Sequence, residues 1–335
     1  MEKARLGRTN LQVTRTSFGA LPIQRVDIDT AGSILRRAFE AGINFYDTAR
    51  AYTDSEAKLG CALADVRDEI VIATKSPSGD RARVMKDVET SLRELKTDRV
   101  DILQLHNPRE LSDAADGESA YAGLAQARRE GKTRFIGITE HRLDVAVAAA
   151  ESGLYDTVQF PISMISDAKV LRLVEVCKVC DVGLIAMKAL CGGLVRNIRA
   201  AFAFYRQFAS VVPIWGVQRM AELEEFLALD ADPPELDDEL RAAIEADRGE
   251  LAGDFCRGCG YCLPCPAEIP IPMAARMAFL MRRAPTKGFL APAWQRQMAR
   301  IDDCIECGDC RERCPYGLDT PALLKRMYED YKTFL

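Results

Sequence analysis

The chain has 335 residues, 48% apolar and 28% charged, with a net charge of −5. That length allows one large domain plus an appendage, or two ordinary domains, and the composition is that of a globular protein. With a negative balance and no basic stripe, nothing points to nucleic acid or an anionic membrane surface as partner.

The opening "MEKARLGRTNLQVTRTSF" is polar and charged rather than signal-peptide-like. No apolar run approaches the roughly 18 residues of a membrane span, so a cytoplasmic location is expected. The stretch "ARLGRTNLQV" predicts a hairpin ahead of the first strand. Eight short apolar, β-branched runs follow, at 14–19, 43–48, 69–75, 100–106, 133–139, 156–162, 182–188 and 210–216. Most are continuous rather than alternating, as expected of parallel strands buried on both faces. They recur every roughly 25–33 residues, the length of one βα unit. Between them, "TAGSILRRAFEAG" (30–42) and "ARVMKDVETSLREL" (82–95) carry apolar positions at helical spacing, and Gly42 is a helix-terminating signal. Eight βα units in about 230 residues predict a (β/α)8 TIM barrel, with the hairpin capping its bottom. An open doubly wound sheet is disfavoured because no G-x-G-x-x-G follows the first strand.

In such a barrel the chemistry gathers at the C-terminal strand ends. There the second strand ends in Asp47, with Tyr52 in the loop after it. The third strand ends in Lys75 and the fourth in His106. Singly, each has an ordinary reading as helix cap, packing residue, surface charge or core histidine. Together, on three consecutive strand ends, they predict a site.

Past the barrel, "LALDADPPELDDELRAAIEADRGE" (227–250) reads as an acidic linker and helix with a solvated face. Twelve cysteines in a chain expected to lack a leader call for something other than disulfides, and eight of them fall between Cys256 and Cys314. The run Cys304-x2-Cys307-x2-Cys310-x3-Cys314-Pro has the bacterial [4Fe–4S] spacing. The earlier run, Cys256-x2-Cys259-x2-Cys262-x2-Cys265-Pro, is one residue shorter before its last cysteine. In two-cluster ferredoxins the last cysteine of each run ligates the other cluster. One set is then Cys256, Cys259, Cys262 and Cys314, and the other is Cys304, Cys307, Cys310 and Cys265. Zinc held by paired CxxC motifs is the alternative, and clusters serving only as staples for a small domain are another. The segment between the runs reads as helices broken by prolines, giving a mainly helical, ferredoxin-like C-terminal domain. The expected division is 1–228 for the barrel, 229–252 for the linker and helix, and 253–335 for the cluster domain. Cys177 and Cys180, a CxxC inside a helical stretch, read as two small buried residues, and Cys61 as a core residue.

The stretches "YDTARAYTDSE", "IATK" and "LQLHNP", which carry Asp47, Tyr52, Lys75 and His106, resemble the tetrad of the aldo-keto reductases. That resemblance covers roughly residues 5–228, and the chain as a whole resembles the family's ferredoxin-bearing branch. It implies an oxidoreductase acting on a carbonyl or alcohol substrate. A free tyrosine, with a pKa of about 10, is a poor acid–base group near neutrality, and a neighbouring ammonium stabilises its phenolate. Tyr52 is thus expected as general acid and base, with Lys75 lowering its pKa and Asp47 holding Lys75. His106 is expected to hydrogen-bond the substrate oxygen.

The resemblance also implies a nicotinamide nucleotide, NADPH or NADH, near Gln159 and Thr139, with Glu140 where the family usually has asparagine. Met187 and Lys188 stand where an aromatic residue usually stacks. Gly216, Gln218 and Arg219 fall at the adenosine-phosphate end, where Arg219 is the candidate for a 2′-phosphate at a helix N-terminus. Hydride carriers move two electrons and clusters move one, so a bound flavin is a further candidate, as is an external electron carrier. The sequence sets neither the substrate nor an oligomeric state.

Overall fold

Each of the eight runs is buried on both faces, and the two most continuous, Val71–Ser76 and Val100–His106, hide nearly every residue. A computed structural model describes residues 1–251, 255–283 and 286–335. The chain opens with a hairpin, β1 (Lys3–Arg5) and β2 (Gln12–Thr14), paired antiparallel. Eight parallel strands close a barrel: β3 (Ser17–Gly19), β4 (Phe45–Asp47), β5 (Val71–Ser76), β6 (Val100–His106), β7 (Thr133–Thr139), β8 (Thr157–Pro161), β9 (Gly183–Met187) and β10 (Val211–Gly216). All eight expected strands are present in their expected order. Helices alternate with them: α1 (Ile28–Glu40), α2 (Ser55–Leu63), α3 (Arg81–Leu95), α4 (Ala120–Arg129), α5 (Leu143–Glu151), α6 (Ala168–Val179), α7 (Ile198–Arg206) and α8 (Met220–Ala231).

Local chemistry starts and stops these helices. Asp27, Asp80, Ser119 and Asp167 each accept a hydrogen bond from the backbone N–H three residues on, at 2.8, 2.9, 3.2 and 2.9 Å. After α1, Gly42 takes a φ of +95°, which turns the chain into β4.

The hairpin plugs the barrel floor. Ala4, Leu6, Leu11 and Val13 pack in one buried cluster with Phe45, Val71, Ala73, Ile102, Ile185, Val212 and Ile214. Gly7 makes that seating possible, because a Cβ there would lie 2.2 Å from the backbone nitrogen of Gly183. Strand side chains alternate faces, so this floor fixes what points inward higher up. Two residues beyond Phe45 lies Asp47, and two beyond Ala73 lies Lys75. Beyond Ile102 come Gln104 and His106, and beyond Ile185 comes Met187. The polar upper layer is therefore set by the same parity as the apolar floor.

Chain contacts divide the protein into two units, Met1–Ala189 with Arg199–Leu240, and Leu190–Ile198 with Arg241–Leu335. The sequence division at 228/229 differs from this. α9 (Asp238–Glu250) falls mostly in the second unit, and the 252/253 boundary lies outside the described residues. Two arginines hold Leu190–Ile198 in the second unit: Arg276 Nη1 donates to Gly192 O at 3.1 Å, and Arg283 Nη1 to Leu194 O at 3.0 Å. Arg283 also pairs with Asp247 and Glu250 of α9.

The second unit is helical, as expected. After α9 it contains α10 (Ile271–Ala274), α11 (Met277–Arg283), α12 (Pro292–Ala299), α13 (Asp309–Glu312) and α14 (Thr320–Lys332). The expected helical stretch between the cysteine runs includes residues 284–285, which lie outside the described residues. Of its methionines, Met277, Met281 and Met298 are buried core residues, and Met273 is half-buried. Cys177 is buried and Cys180 only half-buried, while Cys61 is exposed, contrary to its reading as a core residue: it lies on the solvent face of α2.

Candidate functional site

At the C-terminal end of the barrel, Lys75 Nζ donates to both carboxylate oxygens of Asp47 at 2.8 Å and to Thr48 O at 2.5 Å. Both side chains are almost fully buried. Burial is the largest influence on each, pushing the Lys75 ammonium down and the Asp47 carboxyl up, while their mutual attraction opposes both shifts. The ammonium lies 5.3 Å from the centre of the Tyr52 ring. That ring meets His106 edge-on, with centroids 5.8 Å apart and planes at 84°. Burial, and then the Lys75 charge, push the His106 imidazole down to about 3, so it is neutral near pH 7. The structure thus brings all four sequence-predicted residues together.

Gln159 joins the same network, though its amide is already engaged. Its Nε2 donates to Asp47 Oδ2 at 3.4 Å, and its Oε1 accepts from Gln104 Nε2 at 2.9 Å. A carboxylate only accepts, so Gln159 must turn its NH2 to Asp47 and its oxygen to Gln104. Sequence reading missed Gln104, which is fully buried. The signal was there: an amide inside the apolar run "VDILQLH", two residues before His106 on the same strand face.

Thr139 is buried at the end of β7, between His106 and Gln159 in the strand register. Beyond it, Glu140 has no exposed surface. Its Oε2 accepts from the backbone N–H groups of His141 and Arg142 at 3.0 and 3.1 Å, while Oε1 has no partner among the described residues. Burial pushes this carboxyl up to about 7. Met187 and Lys188 are half-buried where β9 ends.

The phosphate end differs from the sequence reading. Gly216, at the end of β10, and Arg219, at the start of α8, are exposed, and Gln218 between them is half-buried. There the backbone N–H groups of Gln218 and Arg219 donate to Glu222 Oε2 at 2.8 and 3.0 Å, and Arg219 Nε donates to Glu222 Oε1 at 2.9 Å. This end of the helix is capped by a carboxylate from its own first turn. An anion seated here competes with Glu222.

In the second unit, Cys256, Cys259, Cys262 and Cys314 line one hollow together with Ile271, Tyr316 and Leu318. Cys265, Cys304, Cys307 and Cys310 line another with Ile269, Ile305 and Leu324, and Cys262 touches its wall. The last cysteine of each run has therefore crossed to the other set. Gly258 N donates to Cys256 Sγ at 3.3 Å, the kind of bond that supports a cluster thiolate. Four thiols around an apolar-walled hollow suit a polynuclear cluster; a single zinc needs its ligands converging on one point.

Comparison with known proteins agrees with both halves. Residues 15–207, more than half the chain, match the aldo/keto reductase family, and residues 255–319 match a 4Fe-4S dicluster domain. L-galactose dehydrogenase of Arabidopsis thaliana is 34% identical over 214 residues, covering 58% of this chain and 67% of that protein. Methylglyoxal reductase DkgB of Salmonella typhi is 31% identical over 159 residues, covering 45% of this chain and 58% of that protein. The chain thus spans about half to two-thirds of these relatives' lengths. A holo aldo-keto reductase from Bacillus halodurans superposes with a TM-score of 0.64 at 22% identity, covering 74% of this chain and 96% of that one. At that identity the likeness shows the fold. Among the described residues, no helix is long and apolar enough to cross a membrane. The barrel, its strand order and the match over more than half the chain place this protein in the aldo/keto reductase family, with a 4Fe-4S dicluster domain after the barrel.

Proposed function

We propose that the upper end of the barrel interconverts a small carbonyl compound and its alcohol, with Tyr52 passing the proton. The observation that carries this reading is the seat of Lys75, an ammonium fixed by Asp47 and Thr48 O and lying 5.3 Å from the Tyr52 ring. A cation so placed favours the phenolate, which brings Tyr52 nearer the operating pH. In carbonyl reduction Tyr52 gives its phenolic proton to the substrate oxygen; in alcohol oxidation it takes that proton back. His106, neutral and edge-on to Tyr52, donates a hydrogen bond to the same oxygen and stabilises the alkoxide as it develops. The buried pair Asp47–Lys75 pre-orients the site, so little reorganisation accompanies the proton transfer.

Thr139 and Gln159 offer buried polar groups at adjacent strand ends, which suits the amide end of a nicotinamide nucleotide, with Met187 and Lys188 beside it. Gly216, Gln218 and Arg219 would meet its adenosine phosphate, and the Glu222 carboxylate there weighs against the extra charge of NADPH relative to NADH. When bound, such a nucleotide supplies an electron pair as hydride, and the clusters supply or take up single electrons. Cys256, Cys259, Cys262 and Cys314 would hold one cluster, and Cys304, Cys307, Cys310 and Cys265 the other. Two clusters in one chain suit exchange with an external one-electron carrier, with a flavin as mediator.

The test is Tyr52→Phe. We expect kcat to fall about 10²-fold or more while nucleotide binding, followed by fluorescence titration, stays unchanged. Full activity of Tyr52→Phe on every carbonyl that the wild type reduces contradicts the reading.

A further inference from the structure

Tyr52 sits in a loop, and a loop side chain is held only as well as its backbone is. The loop between β4 and α2 has an uncommon fastening. Its residue Arg50 uses both its backbone and its side chain. The Arg50 backbone N–H donates to Lys75 O at 3.0 Å, joining the loop to the strand end that carries the ammonium. The guanidinium reaches over the tyrosine's position in the chain and donates to Thr53 O at 3.4 Å. Tyr52 is thus bracketed by two bonds from one residue.

The arginine is itself anchored. It pairs with Glu56 of α2 and, at 2.9 Å, with Glu94 of α3. Glu56 is 1% exposed, and its other oxygen accepts from Thr74 Oγ1 at 2.5 Å, one residue before Lys75. A buried carboxylate bonded on both oxygens, one to a guanidinium that also meets Glu94 and one to Thr74, is a rigid support. The fastening also has a load to hold. Thr53 has a φ of +37°, an unfavourable conformation for a β-branched residue that persists only where its surroundings impose it.

We propose that Arg50 is a positioning residue for Tyr52, its guanidinium clasped by Glu56 and Glu94 so that the tyrosine loop is locked onto the strand end bearing Lys75. The inference rests on the reading of Tyr52 as the proton-transfer group. Arg50 acts through Tyr52 and not on the substrate, so its effect appears in the tyrosine's ionisation and in kcat rather than in KM.

The decisive readout needs no substrate. The holo protein is labelled with [13Cζ]-tyrosine, and the Tyr52 signal is assigned among the nine tyrosines as the one absent from Tyr52→Phe. In the wild type that signal titrates below the ordinary value of about 10. In Arg50→Met its midpoint moves up toward that value, and in Arg50→Lys, which keeps the charge but cannot bridge two carboxylates and Thr53, it moves part of the way. With NADPH and 4-nitrobenzaldehyde as probes, kcat of Arg50→Met falls about 10²-fold, the scale of a 1 Å misplacement, and KM changes little. If Arg50→Met does not fold, Arg50→Lys reports the same shift at smaller amplitude. An unchanged Tyr52 midpoint in the folded variants overturns the clasp and leaves the Tyr52 reading intact. A wild-type Tyr52 that titrates with the other tyrosines overturns the Tyr52 reading itself.

Discussion

Asparagine in place of Asp47 removes a charge and almost no volume. Lys75 Nζ then keeps Thr48 O and one side-chain oxygen, in a site with about 1% exposure. Stranding one member of a buried ion pair costs about 3–5 kcal/mol. Lys75 recovers part of that by releasing its proton, the direction in which burial already pushes it. A loss of about 3 kcal/mol lowers the melting temperature of a domain this size by about 6–12 °C. The same proton release leaves Tyr52 with no cation beside it, so kcat falls about 10²-fold or more. The double variant Asp47→Asn/Lys75→Met separates the two effects. With both charges gone it regains most of the stability, and it remains inactive. Thermal melts at pH 7 beside steady-state kinetics read both quantities. A single variant melting within about 1 °C of wild type, against the 2–4 °C expected per kcal/mol, refutes the reasoning, as does a double variant no more stable than the single.

Crossed cluster ligation predicts matched pairs of phenotypes. Cys314→Ala and Cys256→Ala should lose the same electron paramagnetic resonance signal on reduction, and Cys265→Ala and Cys304→Ala the other; matching within each sequence run instead contradicts the crossing. Gln104→Glu places a carboxylate where Gln159 turns its oxygen, so it should lower kcat more than Gln104→Leu does. Equal kinetics in the two would show that Gln104 does not orient Gln159. Glu140 has a carboxyl raised to about 7, so its ionisation weighs on the fold increasingly between pH 4.5 and 7 and fully above that. Glu140→Gln should therefore stabilise the protein by up to about 2–3 kcal/mol at pH 8 and by almost nothing near pH 4. A gain independent of pH contradicts the assignment.

The barrel was legible because parallel strands buried on both faces leave continuous apolar runs, and a βα repeat cannot be hidden in a single sequence. Asp47, Tyr52, Lys75 and His106 were legible because the fold says where to look. Gln104 was not, since an amide in a buried strand interrupts the apolar pattern without announcing a role. Arg50, Glu56 and Glu94 lie in a loop, in α2 and in α3, and only folding brings one guanidinium to two carboxylates. At α8, Glu222 stands three residues after Arg219, and only the structure shows its carboxylate folded back over its own helix start. The place of Leu190–Ile198 in the second unit depends on Arg276 and Arg283, some ninety residues downstream, and no local pattern encodes such a tie.

We propose that the barrel site and the two clusters form one redox system. The most direct test is an anaerobic visible spectrum of the purified protein before and after NADPH or NADH is added. We predict the broad absorption of thiolate-held iron–sulfur clusters, bleaching in wild type as the clusters take up electrons. A cluster band that neither nucleotide bleaches, in protein that still reduces a carbonyl, contradicts the account and leaves the clusters as structural staples.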